Sequence, residues 1–287
     1  MDGIIVINKE ENMTSRDVVN VISKKLDTKK VGHTGTLDPM AKGVLVIAVN
    51  KALRIVEDLT SLNKEYIAEV TLGIDTDTLD ITGNIIKKET PRKISNNEVV
   101  QVLNSFLGTY IMEVPKYSAI KVNGRKLYEY ARNNEEVKLP IKEVYINNIE
   151  LVNELKYFDS YATFSFKCNV SKGTYIRSLV RDICKRLDVS GTMSDLIRTK
   201  QGKFCIENSI KLSEVDENIK LITIKEALDL PMIEIDENLY KKVSNGCKLN
   251  NIYDYEKFCF IYKNNVVAIY IIDNENKNIV KPRKVFR

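Results

Sequence analysis

The run Gly32-His33-Thr34-Gly35-Thr36-Leu37-Asp38-Pro39, continuing through Ala41, Gly43 and Val44, constrains this chain more than any other stretch. Gly32 and Gly35 admit backbone conformations that a Cβ disfavours, and Pro39 fixes a torsion just past the acid. Directly behind the loop, Val44-Leu45-Val46-Ile47-Ala48-Val49 is uninterruptedly apolar, the pattern of a buried strand. A short loop held on a rigid strand aims Asp38, and it also carries His33, the only histidine of the protein. An arbitrary Asp-Pro pair initiates a turn, its carboxylate accepting local backbone hydrogen bonds. Taken alone, these residues fit either a turn or a reactive carboxylate.

Strands and helices intermix around this loop. Residues 1–9 start acidic and read as a strand rather than a secretory leader. Thr14 and Asp17 form a capping-box-like start to a helix on which Val18, Ile22 and Leu26 recur at helical spacing. Tyr66, Ala68, Val70 and Leu72 alternate with Ile67, Glu69 and Thr71, giving a strand with Tyr66 near its start. Ser95-Asn96-Asn97-Glu98 reads as a capping box for a helix that buries Val99, Val102, Leu103 and Phe106 and stops at Gly108. Ala162, Phe164, Phe166, Cys168 and Val170 alternate with polar residues in another strand. After the break at Gly173, Ile176, Leu179, Val180, Ile183 and Leu187 mark a helix.

No regular βαβ alternation and no internal period appear, so the expected class is α+β with a mixed sheet. A boundary near Leu230-Pro231 divides the chain into residues 1–230 and 231–287. The second part carries strands at Phe258–Tyr262 and Val266–Ile272 around the turn Lys263-Asn264-Asn265, and a basic tail at 280–286.

Composition sets wide bounds. The 287 residues carry a formal net charge of +5, which permits a polyanionic partner without demanding one. With no tryptophan and 14 tyrosines, stacking surfaces fall to Tyr and Phe. No apolar run is long enough to span a membrane, so a cytoplasmic protein is expected. The five cysteines include no Cys-x-x-Cys pair, and with one histidine they leave neither a zinc-site spacing nor a disulfide framework. Buried free thiols are expected.

Blocks along residues 1–205 resemble the TruB family of tRNA pseudouridine synthases. The first is Gly-His-Thr-Gly-Thr-Leu-Asp-Pro at 32–39. Lys64-Glu65-Tyr66-Ile67-Ala68 and Leu72-Gly73-Ile74-Asp75-Thr76-Asp77-Thr78-Leu79-Asp80 follow. Pro115-Lys116-Tyr117-Ser118-Ala119-Ile120-Lys121-Val122-Asn123-Gly124 and Ser171-Lys172-Gly173-Thr174-Tyr175-Ile176-Arg177 complete the set, in the family's order. The resemblance implies a mixed-sheet catalytic domain over 1–230 and a small PUA-like β domain over 231–287. It also implies isomerisation of the T-loop uridine of tRNA, position 55, to pseudouridine.

In that family the aspartate of the first block is the nucleophile, which assigns the role to Asp38. The carboxylate can assist cleavage of the bond from ribose to uracil N1, or promote loss of the ribose C2′ proton; the sequence leaves both paths open. Arg177 would sit against Asp38 and orient it. Tyr66 would stack on the uracil; acting as a base it would need a phenolate, disfavoured for a group with pKa about 10. Tyr175 and Leu196 would shape the uracil pocket, and His33 would pack into the nucleotides disturbed when the base is flipped out. Lys64, Lys121, Arg125, Lys126 and Lys172 are candidate phosphate contacts. The reaction needs no metal or cofactor. The expected partner is the tRNA T-arm, bound by a monomer with no guide RNA and no membrane.

Several positions depart from the family pattern. Glu10 and Asn12 stand where Pro and Gly are usual, which suggests a looser loop before the first helix. Lys42 replaces a Thr and Glu113 a Gln, Ser190-Gly191-Thr192-Met193 lacks the usual Gly-Ala-His, and Ile197-Arg198 replaces an Arg pair. None removes Asp38, Tyr66 or Arg177. A non-catalytic RNA-binding or tRNA-folding protein on the same scaffold is the alternative, against which retention of those three residues argues. A guide-dependent synthase is a third reading, disfavoured by the compact chain.

Overall fold

In the computed structural model, which describes residues 1–286, the chain opens with β1 (Gly3–Lys9), α1 (Ser15–Lys25), β2 (Val31–His33) and β3 (Lys42–Val49). Helix α2 (Val56–Thr60), β4 (Lys64–Leu72), the hairpin of β5 (Ile74–Thr76) and β6 (Ile85–Lys88), and α3 (Asn96–Asn104) follow. Next come β7 (Gly108–Glu113), a ribbon of β8 (Lys121–Val122) and β9 (Arg125–Lys126), and α4 (Leu127–Arg132). The long β10 (Ile141–Tyr157) and β11 (Ala162–Val170) precede α5 (Ile176–Arg186), β12 (Gly191–Gln201), β13 (Phe204–Cys205) and β14 (Ile210–Lys211). The large sheet runs β14-β1-β3-β12-β4-β11-β10-β7, with β2 added on β3 and β13 on β12. Its β1–β14 and β3–β12 pairings are parallel and the rest antiparallel, the mixed sheet expected of an α+β chain.

After α6 (Ile224–Ala227), a second sheet forms from β15 (Met232–Glu234), β16 (Leu249–Asn250), β17 (Lys257–Tyr262), β18 (Asn265–Ile272) and β19 (Ile279–Val285), in the order β15-β17-β18-β19-β16. Helix α7 (Glu237–Ser244) lies between β15 and β16. The β17–β18 turn consists of Lys263 and Asn264, with φ of 49° and 65°, the left-handed pair that a tight hairpin requires.

The apolar run at 44–49 is continuous because β3 is buried on both faces. Leu45, Ile47 and Val49 face the main core with Ile5 and Ile7 of β1. Val18 and Ile22 of α1, Val99 and Leu103 of α3, and Leu179 and Ile183 of α5 close that core. Val44, Val46 and Ala48 face the other way, with Ile4 and Val6, onto Cys259, Ile261 and Ile269 of the second sheet. Strand β3, buried on both faces from Gly43 onward, anchors the loop between β2 and β3.

Charge reinforces this docking. Asp58 on α2 is buried and accepts from Lys257 at 2.5 Å, Arg283 at 3.0 Å and Lys284 at 2.7 Å. The basic tail is therefore largely paired within the chain rather than displayed.

Several local expectations need correction. Thr14 and Asp17 make the complete capping box of α1, but at α3 only half of the box forms. Ser95 accepts from Glu98 N, while the Glu98 carboxylate pairs with Arg92 instead of returning to the backbone. Gly108 does not end α3, which stops at Asn104; at φ +88° it opens β7. Of the five free cysteines only Cys168, Cys184 and Cys259 are buried, and Cys247 is exposed. No helix among the described residues is long and apolar enough to cross a membrane.

Candidate active site

The loop that carries Asp38 fills a gap in the sheet. β12 pairs with β3 only at Lys42 and Gly43, and β2 only at Ile47 to Val49, so the edge of β3 between them is open. Thr34 N closes part of it by donating to Val46 O at 3.0 Å, and Arg198 Nε donates to Val44 O at 2.6 Å. Arg198 also reaches Gly35 O at 3.1 Å, and Gln201 Nε2 donates to Thr34 Oγ1 at 2.6 Å. Gly43 is required here: at φ +97° a Cβ would lie 2.3 Å from Arg198 O.

The far side of the loop is pinned equally firmly. Ser15 Oγ accepts from Leu37 N at 2.9 Å, and Leu37 itself is buried in the main core. Pro39 O accepts from Asn12 N at 2.9 Å and from Lys9 Nζ at 3.2 Å. Lys9 is buried and donates also to Glu10 O and Met13 O; burial, opposed by attraction to Asp38, lowers its pKa to about 8. Asn12 adopts φ +63°, the conformation that favours glycine. The segment at 10–13 is thus tied to the loop, contrary to the looser turn expected from Glu10 and Asn12.

Asp38 emerges from this frame with its side chain 35% exposed, against 7% for Arg177. Arg177 Nε meets Asp38 Oδ2 at 2.9 Å and Nη2 meets Oδ1 at 3.2 Å, a two-nitrogen pairing. The guanidinium also donates to Thr78 O and Tyr117 O, both at 3.1 Å, and lies 3.6 Å from Asp80 Oδ2. One arginine on α5 therefore joins the Asp38 loop, the β5–β6 hairpin and the segment before β8. Asp80 is buried, and its Oδ1 accepts from Thr78 Oγ1, Thr82 N and Thr82 Oγ1. Between them Leu79 sits at φ +65°, a strained conformation for a side chain of its size.

The remaining expected residues fall around the same loop. Tyr66 on β4 and Leu196 on β12 lie in the buried cluster that contains Leu37, and Tyr175, the residue preceding α5, packs against it. Burial raises the Tyr175 hydroxyl pKa, with Arg177 opposing. His33 ends β2, and its Nδ1 accepts from Gly35 N at 3.3 Å. Burial, then Arg16 and Arg198, lower its pKa and favour the neutral ring.

The basic candidates divide. Lys64 is buried and donates to Thr60 O and Leu62 O, its pKa lowered by burial to about 8, so it supports the backbone and is not a surface phosphate contact. Arg125 pairs with Glu135 through two nitrogens, and Lys126 meets the Tyr128 hydroxyl. Lys121 and Lys172 are exposed.

Residues 23–176 match the family model described as TruB family pseudouridylate synthase (N terminal domain). The chain belongs to the TruB family. A Geobacillus thermodenitrificans protein named tRNA pseudouridine synthase B is 41% identical, covering all of both chains. A Clostridium tetani protein of the same name is 45% identical over 88% of this chain and 86% of its own. Among solved structures, a Cbf5-Nop10-Gar1 complex matches with a TM-score of 0.73 and 26% identity, over 99% of this chain and 85% of the other.

Within this TruB-family site, sequence reasoning assigned no role to Asp80, Lys9, Arg198 or Gln201. Asp80 closes the Thr-x-Thr-x-Asp block, so its signal was present. Lys9 gives a weaker one, as a lone cation at the end of an apolar strand, and Arg198 gives none, set among Asp195, Thr199 and Lys200 on the polar β12. The other departures are accommodated locally. Lys42 pairs with Asp195 at 3.0 Å, Glu113 with Arg181 at 3.0 Å, and Thr192 Oγ1 lies 2.8 Å from Thr76 Oγ1.

Proposed function

We propose that this protein isomerises the T-loop uridine of tRNA, position 55, to pseudouridine, as a monomer acting in the cytoplasm without a guide RNA. The observation that carries the reading is the Asp38–Arg177 pair, in which an accessible carboxylate is aimed by a buried guanidinium. An RNA-binding protein has no need of such an arrangement. The names of the relatives, tRNA pseudouridine synthase B, supply the substrate.

The reaction exchanges the C1′–N1 bond for a C1′–C5 bond; C5 gives up its proton, N1 gains one, and no electrons are lost. Asp38 acts on the ribose, either at C1′ as nucleophile or at the C2′ proton as base. Tyr66 stacks on the base and Tyr175 and Leu196 confine it, so that the freed uracil turns without leaving. His33, kept neutral by its burial, packs into the space opened by flipping. Residues 231–287 act as a second, PUA-like RNA-contacting domain. Lys257, Arg283 and Lys284 are engaged by Glu57 and Asp58, so RNA contacts of that domain come from other side chains.

Tritium release from C5-labelled uridine in unmodified tRNA tests this reading. Release by the wild type and none by Asp38→Asn is expected, with the product mapped to the T-loop. No release by either protein despite tight tRNA binding would overturn the enzyme in favour of an RNA-binding protein.

A further inference from the structure

Strand β10 alternates strictly at its start, except in one respect. Ile141, Glu143 and Tyr145 are exposed, while Val144 and Ile146 are buried in the main core. Lys142 belongs to the inward row: it is half-buried and lies opposite Met112, a fully buried core residue of β7. The register calls for an apolar side chain at this place. A cation here loses part of its hydration, and folding returns no carboxylate or hydrogen-bond acceptor for it.

The ammonium is also without a charged partner. Among the described residues no carboxylate or hydrogen-bond acceptor engages it, and its one contact is the ring of Tyr175, 5.9 Å away at the centroid. It reaches the loop that opens α5: a Cβ on Gly173, which sits at φ +85°, would lie 4.0 Å from Lys142 Nζ. Tyr175 in turn senses Arg177 and Asp38 at its hydroxyl. Lys142 is thus one aromatic ring removed from the reactive pair, on a strand that contributes nothing else to the site.

We propose that Lys142 binds a backbone phosphate of the RNA beside the flipped uridine, holding the nucleotide while Tyr175 and Tyr66 enclose its base. The inference rests on the proposed tRNA reaction. Phosphate is favoured over a uracil carbonyl because an unpaired ammonium gains most from a full negative charge, and each nucleotide brings one. Lys142 is therefore a substrate-positioning residue at the rim, with Asp38 performing the chemistry.

The test compares wild type, Lys142→Met and Lys142→Arg in steady-state turnover and in filter binding of unmodified tRNA, across a series of salt concentrations. Lys142→Met is expected to raise KM and the dissociation constant about tenfold, the size of one charge-assisted hydrogen bond. Its kcat should stay within about twofold, and the slope of log affinity against log salt should become shallower by about one. Lys142→Arg should restore both. The melting temperature of Lys142→Met should equal or exceed that of the wild type, which a merely structural lysine would not allow. Unchanged affinity and salt slope in Lys142→Met overturn the proposal, as does a fall in kcat alone, which would place the ammonium on the base. An inactive wild type would count against the proposed reaction, whereas the binding measurement still decides the role of Lys142.

Discussion

Arg177 and Asp38 differ fivefold in side-chain exposure, 7% against 35%, although they meet through two nitrogens at 2.9 and 3.2 Å. The guanidinium is the fixed member, held by Thr78 O and Tyr117 O, and the carboxylate is the member that a substrate can reach. Asp38→Asn keeps the shape of the side chain and removes its charge. It should lower single-turnover tritium release by more than about a thousandfold, as expected when a nucleophile is lost. Affinity for unmodified tRNA should change by less than about threefold, because the phosphates dominate binding. Loss of binding and of folding together would instead make Asp38 a structural acid.

Removing the arginine exposes a second dependency. Asp80 is buried, and Arg177 at 3.6 Å is the only cation paired with it among the described residues. Arg177→Met should destabilise the protein by about 3 kcal/mol in urea unfolding, since it leaves a buried carboxylate without its cation. Adding Asp80→Asn should restore part of that stability and none of the turnover. Additive losses in the double variant would show that the two residues are not coupled.

Much of this site could be read from the chain because its parts are local. The glycines and Pro39 mark the loop, the apolar run at 44–49 marks its anchor, and the capping box at Thr14 marks the start of α1. What stayed hidden is long-range. Nothing near Arg198 in sequence says that its side chain crosses to Val44 O and Gly35 O, a contact created by the incomplete pairing of β12 with β3. Asn12 looked like a loss of order because glycine is the usual left-handed residue, yet asparagine tolerates that conformation and its amide finds Pro39 O. Lys64 misled in the opposite direction: composition makes a lysine look solvated, while the turn at 60–62 supplies carbonyls that accept its buried ammonium.

His33 gives the protein a definite acid response. Burial lowers its folded pKa, with Arg16 and Arg198 adding to the effect, so the unfolded chain takes up the proton first. Stability should therefore fall as pH drops through about 6.5 and continue to fall until the folded ring is protonated. Protonation also removes the acceptor used by Gly35 N. As the only histidine, it is the one side chain with an ordinary pKa in this window. His33→Asn should flatten the decline in urea midpoint between about pH 7 and pH 5. Parallel curves for the two proteins would remove His33 as the cause.

Glu57 and Asp58 are neighbours that share Arg283 and Lys284, and they should contribute very differently. Glu57 is 74% exposed, so its pairs with Arg283 and Lys284 are screened by solvent. Asp58 is buried between α2 and the second sheet. Burial pushes its pKa up, but the hydrogen bonds from Lys257 and Lys284 outweigh this and hold it below the ordinary carboxylate value. Glu57→Gln should change unfolding free energy by less than about 0.5 kcal/mol. Asp58→Asn leaves Lys257, Arg283 and Lys284 facing one another and should cost about 2 kcal/mol, less than for a fully buried pair because these cations keep partial contact with water. The loss should shrink in about 1 M salt, which screens repulsion among partly exposed charges. Turnover at saturating tRNA should stay at the wild-type level, because Asp58 sits between Ile55 and Leu59, which pack with Val44, Val46 and Ala48 on the side of β3 opposite the main core. Equal stability of the two variants would mean that residues 55–59 and the second sheet dock through Ile55, Leu59 and Ile269 alone.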